Sequence, residues 1–381
     1  MNFLSSLRIA AVSLPLAIFS ETHAQKINNE LEISGWLRAN IQDKSYSDDD
    51  HKLKFDAAKL AIKYQSEPIG ANFEYRCYQF DKICDFAALV DANLSYHFNG
   101  NNQHKITLGI QELPFGPARN WSSNWYGGLL VNTGLEDVHN LGINYQYPFT
   151  PNTQMELAYF PTDAGDYHGE SKDSARYSAN FVHTGSENDF SDLEERNLWL
   201  FRLKHKIQLT DDLSLNIGGS YWYSTIDNTT VDQTGKSERW AAFGNLAYDA
   251  LALTVTAGRT QSENKDPVYP DSSMVGSFDT AYAVANDGTF YTVDLFYHVD
   301  LNENSTISPY FTYSYFEKSA SAYKDSSRYI AGTQWDFHNI AIAAEYIVGR
   351  NDYFIGGSPS AFAAGDRSNE SLFNILFLYN F

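Results

Sequence analysis

The sequence is poor in methionine, cysteine and cations. Its 381 residues include 3 Met, 2 Cys and 27 Lys plus Arg, the last against 47 Asp plus Glu. A net charge of −20 speaks against nucleic acid as a partner, because neutralising phosphates takes clustered cations. The two cysteines, Cys77 and Cys84 in CYQFDKIC, have no CxxC beside them, so they do not make a zinc site. No run is long and uncharged enough for a membrane-spanning helix, which takes about 20 apolar residues, and mean hydropathy is −0.40. There is no Gly-x-Ser-x-Gly or His-Glu-x-x-His, which removes the usual hydrolase signatures. There is no Asp-x-Asp-x-Asp-Gly calcium loop, and no cofactor motif.

What is present points elsewhere. The first residues, MNFLSSLRIAAVSLPLAIFSETHAQ, carry one cation, an apolar stretch over roughly Ile9 to Phe19 and a small-residue site ending at Ala24. That pattern predicts a secretory signal peptide cut after Ala24, leaving a single domain over 25–381. In an exported chain, Cys77 and Cys84 suit a disulfide at a hairpin tip. The chain also holds 26 Tyr and 25 Phe. Both are strand formers and both populate the interfacial girdles of membrane barrels.

Alternation with a period of two is pervasive. In residues 30–42, Leu31, Ile33, Gly35, Leu37, Ala39 and Ile41 alternate with Glu32, Ser34, Trp36, Arg38, Asn40 and Gln42. Similar runs follow. Phe86, Ala88, Val90, Ala92, Leu94 and Tyr96 oppose Asp91, Asn93, Ser95 and His97. Trp199, Phe201 and Leu203 oppose Arg202, Lys204 and Lys206. Such strands exceed the roughly 5–6 residues usual in a sandwich and match the roughly 9–11 of a tilted membrane strand. Their polar faces carry charges and amides that a packed core could not satisfy but a wet lumen could. A lumen this polar also speaks against a fatty-acid transporter.

Connections alternate in length. Short turns fall near 66–68, 99–102, 148–152, 210–212, 249–250, 300–304 and 337–339. Longer polar segments fall near 43–51, 78–85, 112–139, 161–194, 224–237, 262–288, 317–326 and 350–370. Seven turns and eight loops imply about sixteen antiparallel strands in an all-β transmembrane barrel, with short periplasmic turns and long outer loops. Lipid cannot satisfy a free strand edge, so the sheet must close. The final stretch, SLFNILFLYNF, is then the closing strand, with Phe373, Ile375, Phe377, Tyr379 and Phe381 facing lipid.

The exported start, the alternating strands and the terminal Phe381 together resemble a Gram-negative outer-membrane porin. The likeness is closest in ITLGIQELPFGPARNWSSNWYGGLLVNTGLEDVHNLGINYQY (106–147). Pro114-Phe115-Gly116 and Gly134-Leu135-Glu136-Asp137 are similar to the third-loop region of the phosphate-selective-type (porin O/P-like) superfamily. The resemblance implies passive diffusion of small hydrophilic solutes or ions, no enzyme activity, a homotrimer, and a place in the outer membrane among lipid and lipopolysaccharide. It also implies that Phe377, Tyr379 and Phe381 are read by the barrel-assembly machinery. Phosphate-specific members carry many pore Arg and Lys, whereas this loop offers only Arg119.

The resemblance further implies an inward-folded third loop. The constriction residues it would supply are Glu112, Arg119, Trp121, Trp125, Tyr126, Glu136 and Asp137. Inward strand positions Arg38, Lys59, Arg76, Lys105, Arg202, Lys204 and Lys206 would form the facing wall. A basic wall opposite Glu136 and Asp137 would set a field across the pore. The aromatic residues Trp121, Trp125 and Tyr126 either pin the loop to the wall or stack on a carbohydrate. Two other readings stay open, an outer-membrane barrel lipase or protease and a loop-mediated adhesin. The strand register near 52–64 and 306–316 stays open as well.

Overall fold

The computed structural model describes residues 25–26, 30–47, 52–163, 168–171, 173–183 and 189–381. The expected signal peptide and part of the acidic stretch SDDDH (47–51) lie outside them. Sixteen strands form one closed antiparallel sheet. The first eight are β1 (Leu31–Lys44), β2 (Lys54–Ser66), β3 (Ile69–Tyr78), β4 (Phe86–His97), β5 (Lys105–Glu112), β6 (His139–Thr150), β7 (Thr153–Asp163) and β8 (Leu193–Gln208). The second eight are β9 (Leu213–Asn228), β10 (Gln233–Tyr248), β11 (Leu251–Glu263), β12 (Asp287–Tyr297, continued by Val299–Asn302), β13 (Ser305–Lys318), β14 (Ser326–Phe337), β15 (Ile340–Arg350) and β16 (Asn369–Asn380). Among the described residues, no helix is long and apolar enough to cross a membrane.

The ring closes between β1 and β16, from Trp36 opposite Asn380 to Lys44 opposite Leu372. Past the last strand, the backbones of Gly35 and Phe381 exchange hydrogen bonds of 2.9 and 3.1 Å. No strand edge is left at the seam, as a low-dielectric surround demands. The predicted outward residues of the terminal strand lie on the outer face, with Asn374 and Asn380 inside. The Phe381 ring lies over Gly35, where an added Cβ would come within 2.6 Å of Phe381 Cζ and 2.2 Å of the Lys59 carbonyl oxygen.

Two expectations need correction. Residues 224–237 form a hairpin with a tight turn at 229–232, because β9 and β10 run 16 residues each and pair from Ser224 opposite Ser237 to Asn228 opposite Gln233. In β4, the register slips by one between Glu74 opposite Asp91 and Tyr75 opposite Leu89. A bulge of this kind flips every side chain beyond it. Phe86, Ala88 and Val90 therefore leave the outer face and pack inside, against Ala175 and Tyr177. The two segments of open register resolve as β2 and β13.

Three long loops fold back over the barrel. Asn180–Phe181, Ser272–Ser277 and Thr280–Ala285 form a three-stranded sheet of their own. Val182, Met274, Ala283 and Ala363 pack together there, joining the loops after β7, β11 and β15. The loop after β3 is closed by the Cys77–Cys84 disulfide, and Asp85 accepts backbone N–H bonds from Phe80, Asp81 and Lys82 at 2.7–2.9 Å.

Replacing Gly35 by Val should displace Phe381 from the seam. Overpacking of this kind costs about 1–3 kcal/mol. The expected outcome is a lower folded fraction in detergent refolding, read by heat-modifiable gel mobility, while Gly244→Val, whose site is open, refolds normally.

Candidate functional site: the third loop and the pore beside it

The lumen is not uniform. On β1 to β4 the inward residues include Ser34, Arg38, Asn40, Lys59, Glu74 and Asn93. From β8 to β13 they include Leu198, Leu200, Trp222, Ile226, Phe290 and Phe316, all buried. The third loop (113–138) carries Leu113, Phe115, Trp121, Leu129, Leu130, Leu135 and Val138, which pack on that second, apolar side. Each such burial is worth about 1.5–3 kcal/mol. The loop therefore crosses the lumen toward β9–β15 and leaves the space along β1–β3 and β16 open.

Pro114-Phe115-Gly116 makes the crossing. Phe115 meets Trp222 edge-on at 5.6 Å. Gly116 has φ +72°, and an added Cβ would lie 2.4 Å from the Trp121 ring. Only glycine fits that combination of backbone and contact. Its N–H donates to Ser220 Oγ at 2.9 Å, and its carbonyl accepts from Arg202 at 3.2 Å.

Polar latches complete the seating. Ser123 donates through its N–H and its hydroxyl to Asp294 at 3.0 and 2.7 Å. The Trp125 N–H donates to Glu345 at 2.7 Å, and its indole N–H to Gln334 at 2.6 Å. Arg328, paired with Asp352 at 2.7 Å, donates to the carbonyls of Gly127 and Gly128 at the start of helix α1 (Leu129–Asn132). The Tyr126 hydroxyl donates to the Phe354 carbonyl at 2.9 Å. Trp125 and Tyr126 therefore pin the loop to the wall and still border the open space.

Other predicted residues separate. Trp121 is 1% exposed and sits in the core, 5.9 Å from Phe290. Glu112 ends β5 opposite His139 and does not border the pore. Arg202 and Lys204 both bond Glu156, at 2.8 and 3.3 Å, on the wall behind the loop. Lys206 and Lys105 lie toward the short-turn ends of β8 and β5, off the pore. The expected basic wall is thus half formed: Arg38, Lys59 and Arg76 border the same space as Glu136 and Asp137, and Arg202 and Lys204 do not. The apolar seat pulls the loop over β8, which buries Arg202 and leaves Lys204 behind the loop, half-buried.

Charge on the open side is paired locally. Arg38 bonds Asp56, and Arg76 bonds Glu74 at 2.6 Å. Arg119 reaches Asp137 at 2.7 Å, Glu74 at 3.1 Å and Asp91 at 3.3 Å. His139 bridges Asp91 and Asp137 at 3.0 and 2.9 Å. The Tyr177 hydroxyl donates to Asp137 at 2.6 Å and accepts from Arg76 at 2.7 Å. Burial disfavours charge on Asp137, but Arg119 and His139 outweigh it and hold that carboxyl well below the usual range. Lys59 has no carboxylate within ion-pair distance among the described residues, and its ammonium lies 6.0 Å from the Trp36 ring centre. Glu136 is 2% exposed and accepts the Trp121 N–H at 2.6 Å. Burial pushes its carboxyl up to about 8, against the weaker pull of that hydrogen bond.

Between the loop and the β1–β3/β16 wall lies a space of about 400 Å3. The wall side adds residues that the charge-based reading missed: Asn40, Gln42, Asn374 and Asn380. Their alternation in β1 and β16 was visible in sequence, but uncharged amides gave no reason to single them out.

The sequence matches no protein-family model and no curated protein. Solved structures do match. The outer membrane channel DcaP of Acinetobacter baumannii aligns at 12% identity and TM-score 0.59, over 92% of this chain and 97% of that one. The anion-selective porin from Comamonas acidovorans aligns at 11% and 0.52, over 92% and 99%. This chain has the porin fold. OmpT of Vibrio cholerae, described in a trimer form, aligns at 14% and 0.52, over 92% and 99%.

Two predictions test the site. Arg119→Met removes the cation shared by Asp137, Glu74 and Asp91 and leaves three clustered carboxylates to Arg76 and His139 alone; breaking a buried ion pair costs about 3–5 kcal/mol. A clear loss of thermal stability is expected, with Arg202→Met as the comparison on the far wall. The second concerns pH. The folded protein keeps the Glu136 proton where the unfolded chain, titrating near 4.5, has lost it. That stabilisation is complete below about pH 4.5 and lost as pH rises through about 8. Glu136→Gln should therefore narrow the difference between denaturation midpoints at pH 5 and pH 9.

Proposed function

We propose that the chain is an outer-membrane channel through which small hydrophilic solutes and ions diffuse passively. The observation that carries this is the polar-lined space of about 400 Å3 inside a closed barrel whose outer face is apolar. Leu37, Leu60, Phe73, Trp199, Tyr221 and Tyr346 are among the large side chains exposed on that face. The short turns face the periplasm, the long loops face outward, and three barrels assemble as a homotrimer. OmpT in its trimer form supports that last reading. The terminal Phe377, Tyr379 and Phe381 serve as the assembly signal, and the outer loops meet lipopolysaccharide.

The constriction reading keeps Arg119, Trp125, Tyr126 and Asp137 from the loop, and Arg38, Lys59 and Arg76 from the wall. Because most of these charges are paired within one wall, the transverse field is small. The charges do not favour phosphate, which takes unpaired cations in number. The enzyme alternative has little support: His139, the histidine placed between two carboxylates, is fully buried with both ring nitrogens bonded.

The test is current through the purified, folded barrel in a planar bilayer under a salt gradient. Steady conductance with a reversal potential near zero is expected, despite a chain charge of −20. Absence of conductance would end the channel reading. Lys59→Glu replaces the unpaired pore cation with an anion, so the reversal potential should move toward cation preference.

A further inference from the structure

The pore contains amide groups that the fold itself does not use. Asn40 is 6% exposed, and its Oδ1 has no hydrogen-bond partner. Asn380 on the adjacent strand, and Asn120 on the third loop, make no side-chain hydrogen bond to the described residues. All three border the same space. Neighbouring amides are consumed in latches: Asn124 bonds Ser122, Thr312 and Gly127, and Asn374 bonds Glu345. The Asn40 Oδ1 is buried without a partner, which costs about 1–3 kcal/mol, and the uncommitted amides of Asn380 and Asn120 border the same space, so the set calls for an explanation outside the fold.

We propose that these amides form a binding subsite for a neutral polyhydroxylated solute, a mono- or disaccharide. The inference rests on the channel reading and adds a solute class to it. A carboxamide offers two donors and an acceptor oxygen with two lone pairs. That matches a sugar, whose hydroxyls each donate and accept. Asn40 and Asn380 present the amides from one side of the pore and Asn120 from the other. Apart from Lys59, the charges around them are paired, so a neutral solute leaves no ion pair to break. Apolar surface is at hand for the C–H faces of a sugar ring. Phe80 is 49% exposed on the disulfide-closed loop at the mouth of the same space, and Tyr126 and Leu376 line it further in. Water also satisfies a pore amide, so the sugar gains only where several amides and an apolar face act together.

The experiment is single-channel current through the full barrel with glucose, maltose, a size-matched polyethylene glycol or sodium phosphate added. The sugars are expected to interrupt the current at concentrations where the polyethylene glycol does not. Asn40→Ala and Asn380→Ala should each raise the half-blocking sugar concentration about 2- to 10-fold. The comparison between sugar and polyethylene glycol uses the unaltered protein and stands even if a variant fails to fold. Sugars that act no better than the polyethylene glycol overturn the subsite, as do folded variants with unchanged block. Block by phosphate that is relieved by Lys59→Met also overturns it, in favour of an anion site. In each of those cases an open channel is still recorded, so the channel reading survives; a folded barrel that passes no current ends both.

Discussion

The interior of this barrel is divided. Inward positions on β8 to β13 include a cluster of large apolar residues, Leu198, Leu200, Trp222, Ile226, Phe290 and Phe316, set among small hydroxyl residues, whereas charges and amides gather on the inward side of β1 to β4. A loop with apolar side chains entering such a lumen has one place to put them. Leu113, Phe115, Trp121, Leu129, Leu130, Leu135 and Val138 go to the apolar side, and everything else about the pore follows from that choice. The open path runs beside the polar wall because the other half of the lumen is filled, first by the third loop and then by the small sheet that two outer loops form above it. Tyr282 of that sheet donates to the Asn132 carbonyl at 2.8 Å, so the two fillings are joined.

Seating the loop also redistributes charge. Arg202 and Glu156 end up buried against the far wall with Lys204 half-buried beside them; Lys204 and Arg202 bond Glu156, and Arg202 also bonds the Gly116 carbonyl. Arg119 turns back toward β3 and β4 and joins five other groups: Glu74, Arg76, Asp91, Asp137 and His139. Such a cluster is rigid, because removing one member strands several others in low dielectric. It ties the two ends of the third loop to the wall that the loop leaves free. The pore is therefore bordered by closed ion pairs and by amides, and its character is closer to neutral than a net charge of −20 suggests.

Much of this architecture was legible beforehand. The short turns near 66–68, 249–250 and 337–339 sit where polar, Pro- or Asn-containing breaks interrupt the alternation, and the seam at Phe381 follows from the rule that lipid tolerates no open edge. The β4 slip was not legible. The first five residues of FAALVDANLSYH are all apolar, so period gives them no face, and the bulge becomes evident only when Glu74 and Tyr75 supply the partners. The pore wall was half legible. Arg38, Lys59 and Arg76 border the open space and carry a charge that singles them out in sequence, while Asn40 and Asn380 border it without any charge to mark them.

The sequence by itself determined strand number, the inward and outward face of most strands, and the closing role of its last residues. These depend on local period and on the hydrogen-bonding demand of a lipid surround, both of which act residue by residue along the chain. The tertiary structure alone decided which inward residues border the open space. Strand period gives an inward residue the same signature whether a loop covers it or not. Arg202 and Arg38 are alike in sequence, each inward on an amphipathic strand. Only the path of residues 113–138 across the lumen, set by where apolar surface could be buried, left Arg38 in the pore and took Arg202 out of it.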